Sequence, residues 1–185
     1  MPICKLVLEQ DVRYCKDGKG KFADDDSYYN IYRYARGESS TTRAIEKTPH
    51  NLHGSRCLDF ERAPEEMMAL AKAYGKDNGT RLRHYVLSLS SKECERLGGD
   101  QYGCCLALQD MAEHFLDCFH GAFQCFYVLH EDTGHPHAHI VCSSVNWRTG
   151  RKYAGDKQDY FGLQNEMNDY LHKVYGMHME MAWDA

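Results

Sequence analysis

The sequence predicts an α+β fold, a central antiparallel β-sheet with helices packed on it, and three observations carry that expectation. Residues 82–90 alternate strictly, with Tyr85, Leu87 and Leu89 on one face and His84, Val86 and Ser88 on the other. Two apolar runs, Phe123 to His130 and His137 to Trp147, flank the turn-rich Asp132-Thr133-Gly134 and read as an antiparallel hairpin. Between and after these strands lie stretches with helical periodicity, which cover a sheet rather than extend it.

Taken in order, residues 3–8 (Ile-Cys-Lys-Leu-Val-Leu) read as a first strand. The tyrosine-rich Tyr28-Tyr29-Asn30-Ile31-Tyr32-Arg33-Tyr34 reads as a short helix capped by Asp26 or Ser27 and closed at Gly37. Residues 38–62 show little periodicity and are expected to be a long loop. Pro64-Glu65-Glu66 starts a helix well, with proline in the first turn and acids at the positive end, and this helix runs to about Tyr74. Cys105, Leu108, Ala112, Phe115, Leu116 and Phe119 form the apolar stripe of another. The last helix uses Tyr160, Leu163, Met167, Tyr170, Leu171 and Val174 and stops at Gly176.

The 185 residues suit one domain, residues 1–185, able to bury roughly two-thirds of its unfolded surface. No apolar run has membrane-spanning length and no charged-then-apolar leader precedes the first strand, so a cytoplasmic location is expected. The nine cysteines include no C-x-x-C pair, and reduced thiols are expected rather than a disulfide framework. A formal net charge of −5 argues against nonspecific duplex binding, although Arg148, Arg151, Lys152 and Lys157 cluster after the second hairpin strand.

The chemistry concentrates in His130-Glu131-Asp132-Thr133-Gly134-His135-Pro136-His137-Ala138-His139, which holds four of the chain's 11 histidines. On a strand, His137 and His139 share a face with Cα atoms about 6.5 Å apart, so both imidazoles can reach one ion. His130, at the end of the neighbouring strand, completes a triad. His135 competes for that place, but three ligands along one strand would span about 13 Å, which favours His130. Asp132 is placed to hold an imidazole N–H and fix its tautomer. Imidazoles suit zinc, manganese, nickel or copper better than magnesium or calcium, and three protein ligands leave positions open for substrate.

The run His130-x-Asp132-x-x-His135-x-His137-x-His139-Ile140-Val141, followed by Ser144-Val145-Asn146 and Gly150-Arg151-Lys152-Tyr153, resembles the metal motif of the mobilisation relaxases of the HUH endonuclease superfamily. His84-Tyr85-Val86-Leu87-Ser88-Leu89-Ser90 resembles the strand that precedes it in that family, and Tyr32-Arg33-Tyr34 sits where the family keeps a nucleophilic tyrosine. The resemblance implies a bacterial, cytoplasmic enzyme that nicks and rejoins single-stranded DNA at a transfer origin through a 5′-phosphotyrosyl link, working with accessory mobilisation proteins. It implies a divalent cation held by His130, His137 and His139, with manganese or magnesium in use and zinc or nickel as alternatives. Tyr34 and Asp132 are the catalytic residues it implies. Among Tyr28, Tyr29, Tyr32 and Tyr34, position against the family motif favours Tyr34, and Tyr28 and Tyr32 share an apolar helical face with Ile31 and Ala35. A phenol with a free pKa near 10 needs a metal field or a base to ionise. The competing readings are a replication initiator or transposase of the same superfamily, a metal-binding DNA-binding accessory protein without nuclease activity, and an unrelated metallohydrolase using Asp132 or Glu131 as base.

Overall fold

The computed structural model describes residues 2–7, 24–37, 52–131 and 135–183. Its strands are β1 (Ile3–Val7), β2 (His53–Ser55), β3 (Leu82–Ser88), β4 (Phe123–His130), β5 (His137–Asn146) and β6 (Glu180–Trp183). Its helices are α1 (Asp26–Ala35), α2 (Ala63–Ala73), α3 (Ser91–Arg96), α4 (Gln101–Asp117) and α5 (Lys157–Tyr175), with a 3-10 turn at Phe60–Arg62 before α2. The fold is α+β, built on one six-stranded sheet in the order β2-β4-β5-β3-β1-β6.

β4 and β5 form the expected antiparallel hairpin, and β3 pairs antiparallel with the other edge of β5. These strands are buried on both faces, which is why β4 and β5 read in sequence as near-continuous apolar runs. Alternation then divides the core. Tyr85, Leu87, Cys125, Tyr127, Leu129, Ala138, Ile140 and Cys142 pack beneath α4 and α5. Phe126, Val128, Val141 and Val145 face α1 and α2.

Three elements depart from expectation. β2 lies inside the presumed long loop and pairs with β4; at three residues it is too short to show alternation. α3 is a short helix whose signal is the reciprocal Ser90/Glu93 capping box. β6 pairs parallel to β1, so the otherwise antiparallel sheet is mixed at that edge. The boundaries of α1 also shift: Asp25 precedes it, and the Asp24 carboxylate accepts from the Ser27 N–H at 3.0 Å and from its hydroxyl at 2.8 Å.

A 10-residue helix such as α1 is marginal alone. Here Tyr28, Ile31, Tyr32 and Ala35 are buried against the sheet and α2, at roughly 1.5–3 kcal/mol for each large side chain. That burial outweighs weak local propensity and sets which tyrosines remain at the surface. Eight cysteines are free thiols among the described residues, and Cys15 lies outside them. No helix among the described residues is long and apolar enough to cross a membrane.

Candidate metal centre and its tyrosine

The face of the sheet beneath α1 changes character along its length. Moving toward the hairpin turn, Phe126 and Val128 on β4 give way to His130, while Val145 and Val141 on β5 give way to His139 and His137. The hairpin register pairs His130 directly with His137 and Val128 with His139. Strand pleating therefore brings the three imidazoles together on one face. Their candidate ligand atoms all lie within 4.8 Å of one another. Ring centroids stand 5.2 Å (His130–His137), 4.6 Å (His130–His139) and 5.1 Å (His137–His139) apart. Nitrogens bound to one ion at about 2.1 Å stand roughly 3.0–3.4 Å apart, so ligation requires the rings to draw inward.

The donor chemistry fits a cation. Nε2 of His130 lies 2.6 Å from the carbonyl oxygen of Ala35, and Nδ1 of His137 lies 3.1 Å from that of His135. A carbonyl only accepts, so each of those nitrogens carries the proton. The lone pair of the neutral ring then sits on Nδ1 of His130 and Nε2 of His137. Outer carbonyls commonly set metal-binding histidines in this way. Nδ1 of His139 lies 2.9 Å from Nε2 of His84, a buried residue on β3.

Other candidates fall away from this cluster. The His135 side chain is exposed and not part of the trio; its backbone carbonyl serves His137. Asp132 lies outside the described residues. Glu131 accepts from Gln101 at 3.0 Å and from the Cys105 thiol at 3.0 Å, on the α4 side, which removes it as a base for this centre. Ser90, the last residue of the His84–Ser90 segment, is the cap of α3. The basic cluster is not beside the histidines. Arg148 follows β5 at its far end, about 30 Å along the strand from His137, and packs over Trp147. Lys152 donates to the carbonyl of Thr80 at 3.0 Å and braces a loop.

The four tyrosines of α1 separate cleanly. Tyr28 is fully buried, and burial pushes its hydroxyl up to about 12. Tyr32 is buried, donates to Glu61 at 3.1 Å and accepts from Arg36 at 2.7 Å; burial raises its pKa despite the Arg36 cation. Tyr29, whose pKa is raised by desolvation and by Glu65, points toward α2. Tyr34 alone of the four stands against the imidazoles, its ring edge-on to His139 at 5.1 Å and to His84 at 6.1 Å, with 36% of its surface exposed. The Ala35 carbonyl that holds His130 is the next residue along the chain.

The sequence did not single out His84. Its signal was the alternation that put it on the same face as Val86 and Ser88, but its partner lies 55 residues away.

Residues 34–177 match the family described as relaxase, MobA/VirD2-like, nuclease domain. The chain is similar to curated proteins of Staphylococcus aureus named Protein rlx. One is 28% identical over 141 residues, covering 75% of this chain and 41% of that protein. Another is 30% identical over 135 residues, covering 71% of this chain and 38% of that protein. The chain thus spans about two fifths of the length of these relatives. A solved structure described as "Molecular Basis of Vancomycin Resistance Transfer in Staphylococcus aureus" aligns at a TM-score of 0.47 and 11% identity, over 97% of this chain and 96% of that one.

Proposed function

Because this chain belongs to the relaxase family, in its MobA/VirD2-like nuclease-domain branch, we propose that it nicks and rejoins one strand of DNA at a transfer origin, with Tyr34 as nucleophile and His130, His137 and His139 as the holders of a divalent cation. The observation that carries this reading is the placement of Tyr34 against His139, with the other two imidazoles behind it. Residues 1–185 make up one such domain in this reading, which the match over 34–177 and the pairing of β1 with β6 in the one sheet support.

In the proposed reaction the phenolic oxygen of Tyr34 gives up its proton to solvent and attacks the scissile phosphorus. The bond from phosphorus to the 3′ oxygen breaks as the bond to Tyr34 forms. The departing 3′ oxygen takes up a proton and leaves as a free hydroxyl, and the 5′ side remains linked to the tyrosine. Rejoining reverses both bonds, with the phenolate as leaving group. A bound divalent cation would polarise the phosphate and offset the charge that builds on it. The imidazole donor set favours manganese, zinc or nickel over magnesium.

The histidines' role is to present lone pairs in a fixed orientation, secured by the Ala35 and His135 carbonyls. Asp132 is proposed as a further acidic residue of the same site. Single-stranded DNA as substrate, accessory mobilisation proteins as partners and the bacterial cytoplasm as the setting belong to the same proposal.

The test uses labelled single-stranded DNA carrying the transfer origin of the element that encodes the chain, incubated with protein and manganese and run on a denaturing gel. A protein–DNA adduct that disappears in Tyr34→Phe supports the assignment. An adduct that survives Tyr34→Phe places the nucleophile elsewhere. A protein that binds manganese and this DNA without any adduct favours the accessory-protein reading.

A further inference from the structure

Two of the three candidate ligands have their tautomers set by carbonyls, but the partner of His139 is another imidazole. An imidazole nitrogen can donate or accept, so the contact itself leaves the proton on either ring. We propose that His84 is a positioning residue for His139: its Nε2 accepts from Nδ1–H of His139, holding that ring with the Nε2 lone pair turned toward His130 and His137. The inference rests on the metal reading above.

Three features carry the contact, and the need for a free lone pair on His139 sets its direction. Nε2 of His84 and Nδ1 of His139 stand 2.9 Å apart, a hydrogen-bond distance. Both rings are buried, at 1% and 5% exposure, so the contact between them is shielded from water. β3 and β5 fix both backbones: His84 pairs with Val141 and Val86 with His139, putting the two side chains diagonally on one face. Only with the proton on His139 Nδ1 does this ring offer its far nitrogen as the other two rings offer theirs. The opposite arrangement would put a proton on His139 Nε2 and block ligation there. The Tyr34 ring packs against both imidazoles, so an ordered His84–His139 pair also defines the wall beside the proposed nucleophile.

The first measurement reads histidine nitrogen shifts by long-range proton–nitrogen correlation on metal-free protein, with His139 assigned by comparison with His139→Gln. The expected result is a neutral His139 protonated at Nδ1. A His139 protonated at Nε2 overturns the proposal whether or not the protein binds metal. The second titrates manganese into wild type, His84→Phe and His84→Gln, with the fold checked by circular dichroism. His84→Phe is expected to weaken binding by about 10–100-fold, the range for losing an outer partner. His84→Gln, which keeps a carbonyl acceptor, is expected to recover most of the loss. Wild-type affinity in a folded His84→Phe overturns the proposal. If Phe is not tolerated, the Gln variant and the wild-type nitrogen shifts decide. A wild type that binds no manganese, with His139 still protonated at Nδ1, removes the metal reading and leaves the His84 contact standing.

Discussion

The ring of Tyr34 meets the ring of His139 edge-on, with centroids 5.1 Å apart and planes at 75°. Two segments more than a hundred residues apart in the chain are brought together by one short helix lying over the central hairpin. The helix keeps Tyr28, Ile31 and Tyr32 inward and turns Tyr34 toward the end of the sheet where the histidines emerge.

Tyr32 and Tyr34 should respond oppositely to the loss of a hydroxyl. Tyr32→Phe removes bonds to Glu61 and Arg36 and is expected to cost about 1 kcal/mol of stability while leaving adduct formation intact. Tyr34→Phe is expected to leave stability nearly unchanged and abolish the adduct. Urea denaturation alongside a DNA-linkage gel checks both.

The histidines should also separate. His137→Ala and His139→Ala are expected to lower manganese affinity by more than about 100-fold, beyond the loss typical of an outer partner. His135→Ala, at an exposed side chain whose contribution is its backbone carbonyl, is expected to bind as wild type does. His130→Ala should lose affinity and also loosen the end of α1, because its Nε2–H bonds the Ala35 carbonyl. Isothermal titration together with amide exchange at residues 33–37 distinguishes the two effects.

Asp25 ties the start of α1 to α2 and to Arg81, just before β3. The Lys72 ammonium, 2.8 Å away, and then the Arg81 guanidinium hold its carboxyl below the usual range. A depressed carboxyl stabilises the fold above the unfolded-state value of about 3.9, and that contribution is lost as pH falls through the lower folded value. Asp25→Asn should therefore lower the denaturation midpoint at pH 7, and the gap from wild type should close on acidification below pH 4. A gap that widens in acid would contradict the assignment.

Gly54 on β2 leaves no room for a side chain, since a Cβ there would fall on the Glu113 carboxylate and the Tyr127 ring. Gly54→Ala is expected to cost roughly 1–3 kcal/mol as the edge strand shifts from β4. Thermal unfolding measures it.

The trio of histidines was legible in the sequence because strand periodicity and a hairpin turn are local signals, and both place His130, His137 and His139 on one face. Tyr34 was favoured by position against a family motif; its reason in the fold is the apolar stripe of α1, which claims Tyr28 and Tyr32. What sequence could not reveal depends on distant pairing. β6 is a strand only because β1 offers it an edge, and β2 only because β4 does. His84 becomes relevant only through the register of β3 on β5. The basic residues after β5 were close to the histidines in the chain and far from them in space, because an extended strand carries about 3.3 Å per residue. α3 is a different case: its Ser90/Glu93 box was readable and lay in a segment too short to show helical periodicity.

Tyr34 and the histidine trio are tested together by trapping the protein–DNA adduct with manganese, digesting it with protease and nuclease, and locating the residual nucleotide by mass spectrometry. The expected product is a phosphodiester on Tyr34, absent in His137→Ala and His139→Ala. A nucleotide on Tyr28, Tyr29, Tyr32 or any other residue, or undiminished linkage in the two histidine variants, would contradict it.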